Sequence, residues 1–178
     1  MIQKLLPSNA GFTLIELIIV IVILGILAVT AAPKFIDISE DATAAVTKSQ
    51  YAGFKTAINL VYAKSLMNPG STLTVGSDTY SIDESGWPTG TGSGSAMCAD
   101  LWNKLYSDPQ PVATTNDPNG TLAKGWNTFG YDGICAYGNS ANGESFLAGN
   151  LPFFVYFYKD FNLAGYSGSA GDVTTYNM

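Results

Sequence analysis

Glu16 is an acid set in hydrocarbon. Gly11-Phe12-Thr13-Leu14-Ile15-Glu16-Leu17 opens an apolar run that continues from Ile18 to Ala32, with Thr30 as its one strong polar interruption after Glu16, and Pro33 closes it. Counted from Phe12, the run is long enough as a helix, roughly 30 Å, to cross a bilayer. An acid inside such a span costs about 2.5–3.5 kcal/mol at the bilayer centre and less near its edge. A residue kept there calls for a positive partner. Cleavage after Gly11 would release the α-amino group of Phe12 about one helical turn from Glu16. The pair could then be met within one chain or between neighbouring copies.

Three readings of the run compete. A removable signal peptide has a shorter apolar core, and Pro33 would follow its cut at Thr30–Ala32. A plain signal anchor has no use for Glu16. A segment cut at Gly11 and retained accounts for both the length and the acid.

The other residues with reactive chemistry are Cys98 and Cys135. If the run carries the downstream chain across a membrane, a disulfide between them is the natural reading. The alternative is two buried free thiols in a cytosolic protein. What the chain lacks is equally informative. Its eight basic side chains are all Lys, with no His and no Arg. This excludes a Ser/His/Asp triad, an imidazole metal ligand and a bidentate Arg clamp. The net charge of −6 argues against a nucleic-acid partner. No cofactor or metal is expected. Asp83 and Glu84 are adjacent acids without a basic or nucleophilic partner, so an enzyme is not expected.

The segment from Gly11 through Leu17 with its apolar run resembles the processing and assembly segment of type IV pilins and their pseudopilin relatives. Ile23-Leu24-Gly25-Ile26-Leu27-Ala28-Val29-Thr30-Ala31-Ala32-Pro33-Lys34-Phe35 is similar in particular to mannose-sensitive haemagglutinin (MSHA) pilins of Gram-negative bacteria. Weaker echoes lie at Gly86-Trp87-Pro88-Thr89 and at Cys98 with Leu101-Trp102. The resemblance implies a leader, residues 1–11, removed by a peptidase that cuts between Gly11 and Phe12 and N-methylates Phe12. It implies that Glu16 pairs with the Phe12 amine of an adjacent subunit, and that Gly25 and Pro33 bracket a part of the helix that loosens in the fibre. The implied partners are further copies, the peptidase and the inner-membrane assembly machinery. The implied location is the inner membrane, then an extracellular pilus serving attachment and biofilm formation, with surface glycans as a target. One departure is that Lys4 is the leader's sole basic side chain.

The elements that must position these residues come from periodicity. Residues 12–32 form the transmembrane and assembly helix. Pro33 removes a backbone donor, so a kink is expected. Residues 33–67 continue as an amphipathic helix with two stripes, Phe35, Ile38, Ala42, Ala45, Ser49 and then Phe54, Ile58, Val61, Tyr62, Ser65. Asn68-Pro69-Gly70 ends it. Residues 68–178 form a globular head. Thr72–Val75 and Thr79–Ile82 read as a hairpin, and Ser95 as the cap of a helix from Ala96 to Tyr106. Thr114 to Gly120 reads as turn, with Gly133–Tyr137, Phe153–Lys159 and Asp172–Tyr176 as strands. Phe153–Lys159 is apolar enough to be buried on both faces. The fold class is α+β: a long N-terminal helix packed on one small antiparallel sheet. A Cys98–Cys135 bond would bound residues 98–135 and contribute about 3–4 kcal/mol.

Three further features have a bland reading beside a functional one. Asp117, Asn119 and Gly120 lack the spacing of a calcium loop and read as a turn. Asn119-Gly120-Thr121 fits a glycosylation sequon. Trp87, Trp102 and Trp126 could stack on a sugar, but such residues are more often core. The alternatives to a pilus subunit are a type II secretion pseudopilin, a minor priming pilin and, from another class, a membrane-tethered sugar-binding module.

Overall fold

The computed structural model describes residues 12–163 and 165–178, with backbone alone for residues 31–40. The chain divides into two compact units between Ser39 and Glu40. The first holds the start of helix α1, Leu14–Met67. Leu and Ala support helix here, whereas the β-branched stretch Ile18–Ile23 does not favour it strongly. A helix nevertheless satisfies every backbone group along its own axis, which an apolar surrounding demands. Thr30 obeys the same rule, its hydroxyl donating back to the Leu27 carbonyl at 3.0 Å. Every described position of 12–30 is exposed within the single chain.

In the second unit, α1 lays Thr47, Tyr51, Phe54, Ile58, Val61 and Ser65 toward the core, a regular alternation of four- and three-residue steps. The second expected stripe is therefore observed, although Tyr62 is only half-buried. The first is corrected at Ala42, Ala45 and Ser49, which are exposed, with Thr47 buried in their place; the side chains of Phe35 and Ile38 lie outside the described residues. The Thr47 hydroxyl donates to the Thr43 carbonyl at 2.8 Å, which lets a polar residue take a core position.

The single antiparallel sheet is also corrected, to three sheets among the described residues. Strands β1 (Thr72–Val75), β2 (Asp78–Ile82) and β3 (Pro88–Thr89) form one. Val75 pairs with Asp78 across Gly76-Ser77, and Gly76 has φ +64°, a conformation glycine adopts freely. The largest sheet has β4 (Val112–Thr115), β5 (Gly125–Tyr131), β6 (Ile134–Ser140), β7 (Phe153–Phe157) and β10 (Val173–Tyr176) in the order β10-β7-β6-β5-β4. Its pairs are antiparallel except β4–β5, which is parallel. Strands β8 (Phe161–Leu163) and β9 (Tyr166–Gly168) form a separate hairpin.

Strand β7 is buried along its whole length because both faces of the large sheet are covered. Phe154 and Tyr156 join Phe54, Ile58 and Val61 of α1 and the residues of helix α2 (Gly94–Leu105). Phe153, Val155 and Phe157 meet Phe146, Leu151 and Ile134 on the other face. Phe54 is the pivot of the α1 side, its ring centroid 5.1 Å from Tyr137, 5.3 Å from Phe154 and 5.6 Å from Tyr156.

The helix after the Gly/Ser loop starts earlier than expected. Ser93, not Ser95, occupies its N-cap position, and Ser93 makes no side-chain capping bond. Ser95 is buried inside the first turn. Its hydroxyl donates to the Thr115 carbonyl and accepts from the Gly130 N–H at 2.9 Å, tying α2 to β4 and β5. Gly130 must lack a side chain, because a Cβ there would collide with the Gly94 backbone.

Candidate functional site

The polar start of α1 is built from three consecutive helical roles. Thr13 precedes the first helical residue, Leu14, and so stands at the N-cap, with Glu16 three positions on. The Thr13 N–H donates to Glu16 Oε2 at 3.2 Å and the Thr13 hydroxyl donates to the same oxygen at 2.9 Å. The Glu16 N–H in turn approaches Thr13 Oγ1 at 3.3 Å. This is a reciprocal capping box, which satisfies helix N–H groups that have no partner within the helix. Among the described residues, no hydrogen bond reaches Glu16 Oε1. Phe12, immediately before the cap, is 83% exposed.

The remaining expected assembly residues fall unevenly. Gly11 and the leader lie outside the described residues, as does the side chain of Pro33. Gly25 lies within α1 with open space where a side chain would be. Cys98 and Cys135 form the disulfide, joining α2 to β6 with both residues fully buried. Tyr137 beside them donates its hydroxyl to the Cys98 carbonyl at 2.8 Å. Burial pushes that phenol far above its ordinary range, with Tyr106 adding to the shift, so it acts as a neutral donor.

One surface is caught by the periodicity reading only at Ala42 and Ser49. Ala42, Val46, Ser49, Gly53, Thr56, Leu60, Ala63 and Met67 are all exposed, and they alternate four- and three-residue steps. This stripe is offset by two residues from the buried one, which puts it on the opposite side of the helix. The signal is available in the sequence as the second apolar stripe of an already assigned helix.

Other candidates resolve into structure. Trp102 is fully buried and Trp126 nearly so, packed with centroids 4.8 Å apart, so neither offers a face to a sugar. Trp87 stacks on Tyr62 at 3.8 Å. Asp117 Oδ1 accepts the Asn119 N–H at 2.9 Å and its carbonyl accepts the Gly120 N–H, which makes the segment a turn. Asp83 Oδ1 likewise accepts the Ser85 N–H at 2.7 Å. An apolar groove of about 500 Å³ lies on the face of the large sheet opposite α1, lined by Phe129, Ile134, Val155, Phe161 and Tyr166 among others. Among the described residues, no helix is long and apolar enough to cross a membrane. The apolar part of α1 with described side chains, Leu14 to Thr30, is only about 25 Å long.

Comparison with known proteins places this site in context. Residues 6–32 match the model of the prokaryotic N-terminal methylation motif, which brackets Gly11, Phe12 and Glu16. The chain is similar to the type IV narrow pilus major component PilA5 of Thermus thermophilus, 44% identical over 89 residues that cover 42% of this chain and 72% of that protein. It is also similar to the type IV major pilin protein PilA of Myxococcus xanthus, 27% identical over 190 residues that cover 94% of this chain and 85% of that protein. No solved structure matches. A methylation motif over a capped apolar helix, an α+β fold with one disulfide, and identity at this level to a major pilus component lead to one family: the chain belongs to the type IV pilins.

Proposed function

We propose that this pilin is a structural subunit of an MSHA-like type IV pilus, polymerising through its N-terminal helix into a surface fibre for attachment and biofilm formation. The observation that carries the reading is the uncovered apolar surface of α1. Leu14, Val20, Leu24 and Leu27 are 75%, 47%, 59% and 57% exposed, with an acid held at the first turn. Apolar surface of this extent is covered by lipid or by protein. Residues 12–32 would span the inner membrane before assembly. The same surface would then pack against other copies in the fibre. A helix apolar all round suits both surroundings. The second stripe, Ala42 to Met67, would extend that packing along residues 33–67. The resemblance of residues 23–35 supports the MSHA assignment.

In this reading the peptidase cuts after Gly11, Phe12 is N-methylated, and the Glu16 carboxylate meets the Phe12 amine of a neighbour. The role is structural, without a cofactor. Intact mass of fibres sheared from cells is expected to show a chain beginning at methylated Phe12. A chain beginning at Met1 or Pro33 would refute it. Glu16→Ala is expected to leave membrane insertion intact and remove fibres. Normal fibres in that variant would show that no intersubunit pair is required; a membrane-tethered sugar-binding module acting alone predicts instead that surface activity is unchanged in it.

A further inference from the structure

We propose that the apolar groove on the face of the large sheet opposite α1 is a binding site for a small uncharged aromatic molecule. The inference does not depend on the pilus reading above. The groove holds about 500 Å³, within the range of roughly 300–1,000 Å³ found for small-molecule sites. Its floor is sheet, where Ile134, Ala136, Phe153 and Val155 are all buried. Its rim is exposed. After α1, the large hydrophobic residues left exposed among the described residues are Tyr131, Leu147, Leu163 and Met178, and the first three line this groove. Apolar surface gathered at one concavity is a mark of a binding groove, whereas single scattered residues are not.

The lining defines the occupant. No Asp, Glu or Lys belongs to it, although the chain carries a net charge of −6. A charged ligand would lose water there without gaining a counter-ion. Rings dominate, with Phe129, Tyr131, Phe146, Phe153, Phe161 and Tyr166, and a further ring packs well edge-on or offset against such neighbours. Asn116, Tyr131 and Tyr166 bring neutral polar groups, and none of these side chains hydrogen-bonds to another described residue. They are therefore free to orient a ligand hydroxyl or N–H. The apolar surface exposed in the groove falls far short of the roughly 800 Å² per partner of a stable protein interface. That favours a small molecule over a second copy. The site is also preformed, so little has to be ordered on binding. The Leu147 N–H donates to the Pro118 carbonyl at 3.2 Å. The β8–β9 hairpin is held by Phe161 against Phe157 and by Tyr166 against Phe153, each pair with centroids 6.2 Å apart. Gly168 lets β9 lie on the Phe157 ring, with which a Cβ would collide.

The test is methyl NMR of the full-length chain in detergent, titrated with benzyl alcohol. Methyl signals of Ile134, Leu147, Val155 and Leu163 are expected to shift and saturate, with a Kd of about millimolar or tighter. Those of Ile58 and Leu73, in the core on the α1 side of the sheet, are expected to stay in place. Benzoate, the charged counterpart, is expected to bind at least about tenfold more weakly. Leu163→Asp and Leu147→Asp each put a charge on the rim, at side chains that are 55% and 46% exposed. Each is expected to weaken benzyl alcohol binding about tenfold. Unchanged Ile58 and Leu73 signals in these variants check that the head is still folded. Absence of a saturable shift in the groove, equal shifts on both sides of the sheet, or wild-type affinity in the rim variants would overturn the proposal. Benzoate or hexanol binding as tightly as benzyl alcohol would overturn the ligand class. Groove signals that move with protein concentration and ignore benzyl alcohol would overturn it in favour of a second copy.

Discussion

The two units treat apolar side chains in opposite ways. In the first, Ile18, Ile19, Val22 and Leu24 are each about half exposed, and no other element among the described residues of their unit covers them. In the second, Phe54, Trp102, Tyr137 and Phe154 are fully buried in one aromatic cluster. Composition alone does not separate them, since both are rich in large hydrophobic residues. What separates them is whether the chain supplies its own cover. The head folds on itself, with a disulfide and tyrosine hydroxyls fixing its polar contacts. The described side chains at the start of the N-terminal helix are exposed within the single chain; under the proposed function, lipid or another copy covers them. Stability and assembly should therefore respond to different substitutions.

The largest expected effect tests that separation directly. Phe54→Ala removes a side chain that touches three other rings, and truncation of such a residue costs about 3–5 kcal/mol. Urea unfolding of the full-length chain in detergent is expected to show a lowered midpoint and a loss of unfolding free energy of that size. Leu24→Ala removes a comparable apolar side chain that is 59% exposed. It is expected to leave the midpoint of the head unchanged while reducing fibre yield. If Leu24→Ala unfolds the head, or Phe54→Ala leaves it stable, the contrast between the units does not hold.

These two regions are legible in the sequence to different depths. The N-terminal segment is readable because a single acid in hydrocarbon and a Gly-Phe junction are rare and demand an explanation. Its capping box is harder to see, although Thr13 and Glu16 have the Ser/Thr-x-x-Glu spacing; the charge of Glu16 masks its ordinary role as a helix cap. In the head, β7 is readable because six aromatic or β-branched residues in a row fit only a strand covered on both faces. Strand β5 is not, because Gly125 and Gly130 dilute its pattern, and the reason for Gly130 is the close approach of α2, a tertiary fact. Strand β4 reads as turn because its four residues are short and half-covered, and its Thr114-Thr115 runs straight into the Asp117 turn. The cap of α2 lies two residues before its expected place because serines at 93 and 95 look alike in sequence, and only their partners distinguish them.

That last pair gives a smaller and sharper test. Ser95→Ala would leave the Gly130 N–H and the Thr115 carbonyl without their buried partner, a loss of about 1–3 kcal/mol. Ser93→Ala removes no side-chain capping bond and is expected to change stability by less than about 0.5 kcal/mol. Thermal unfolding of both variants measures the difference. Equal effects would return Ser95 to the role of an ordinary cap.

The smallest expected effect concerns an acid of the head. The hydrogen bonds to the Asp100 carboxylate all end on one oxygen, Oδ2, as those to the Glu16 carboxylate all end on Oε2. Asp100 accepts from Lys104 Nζ at 2.5 Å and from the Thr91 N–H and hydroxyl at 2.7 and 2.8 Å. Partial burial pulls the Asp100 carboxyl upward, but these hydrogen bonds outweigh it and hold it below its ordinary range. A carboxyl depressed in the folded state adds stability above the unfolded value, near pH 4, and that contribution is lost as pH falls through the depressed value. Because the pair is partly open to water, the contribution is below about 1 kcal/mol. The urea midpoint of the full-length chain is therefore expected to hold its Asp100 contribution above about pH 4 and to lose it on further acidification. Asp100→Asn should lower the midpoint at neutral pH and reduce the drop on acidification. An unchanged drop in that variant would place the acid sensitivity of the head elsewhere, with Glu144 as the next residue to substitute. Its carboxyl is raised by burial, but hydrogen bonds from the Ser140 hydroxyl and the Asn142 N–H bring it below the ordinary range in the same way.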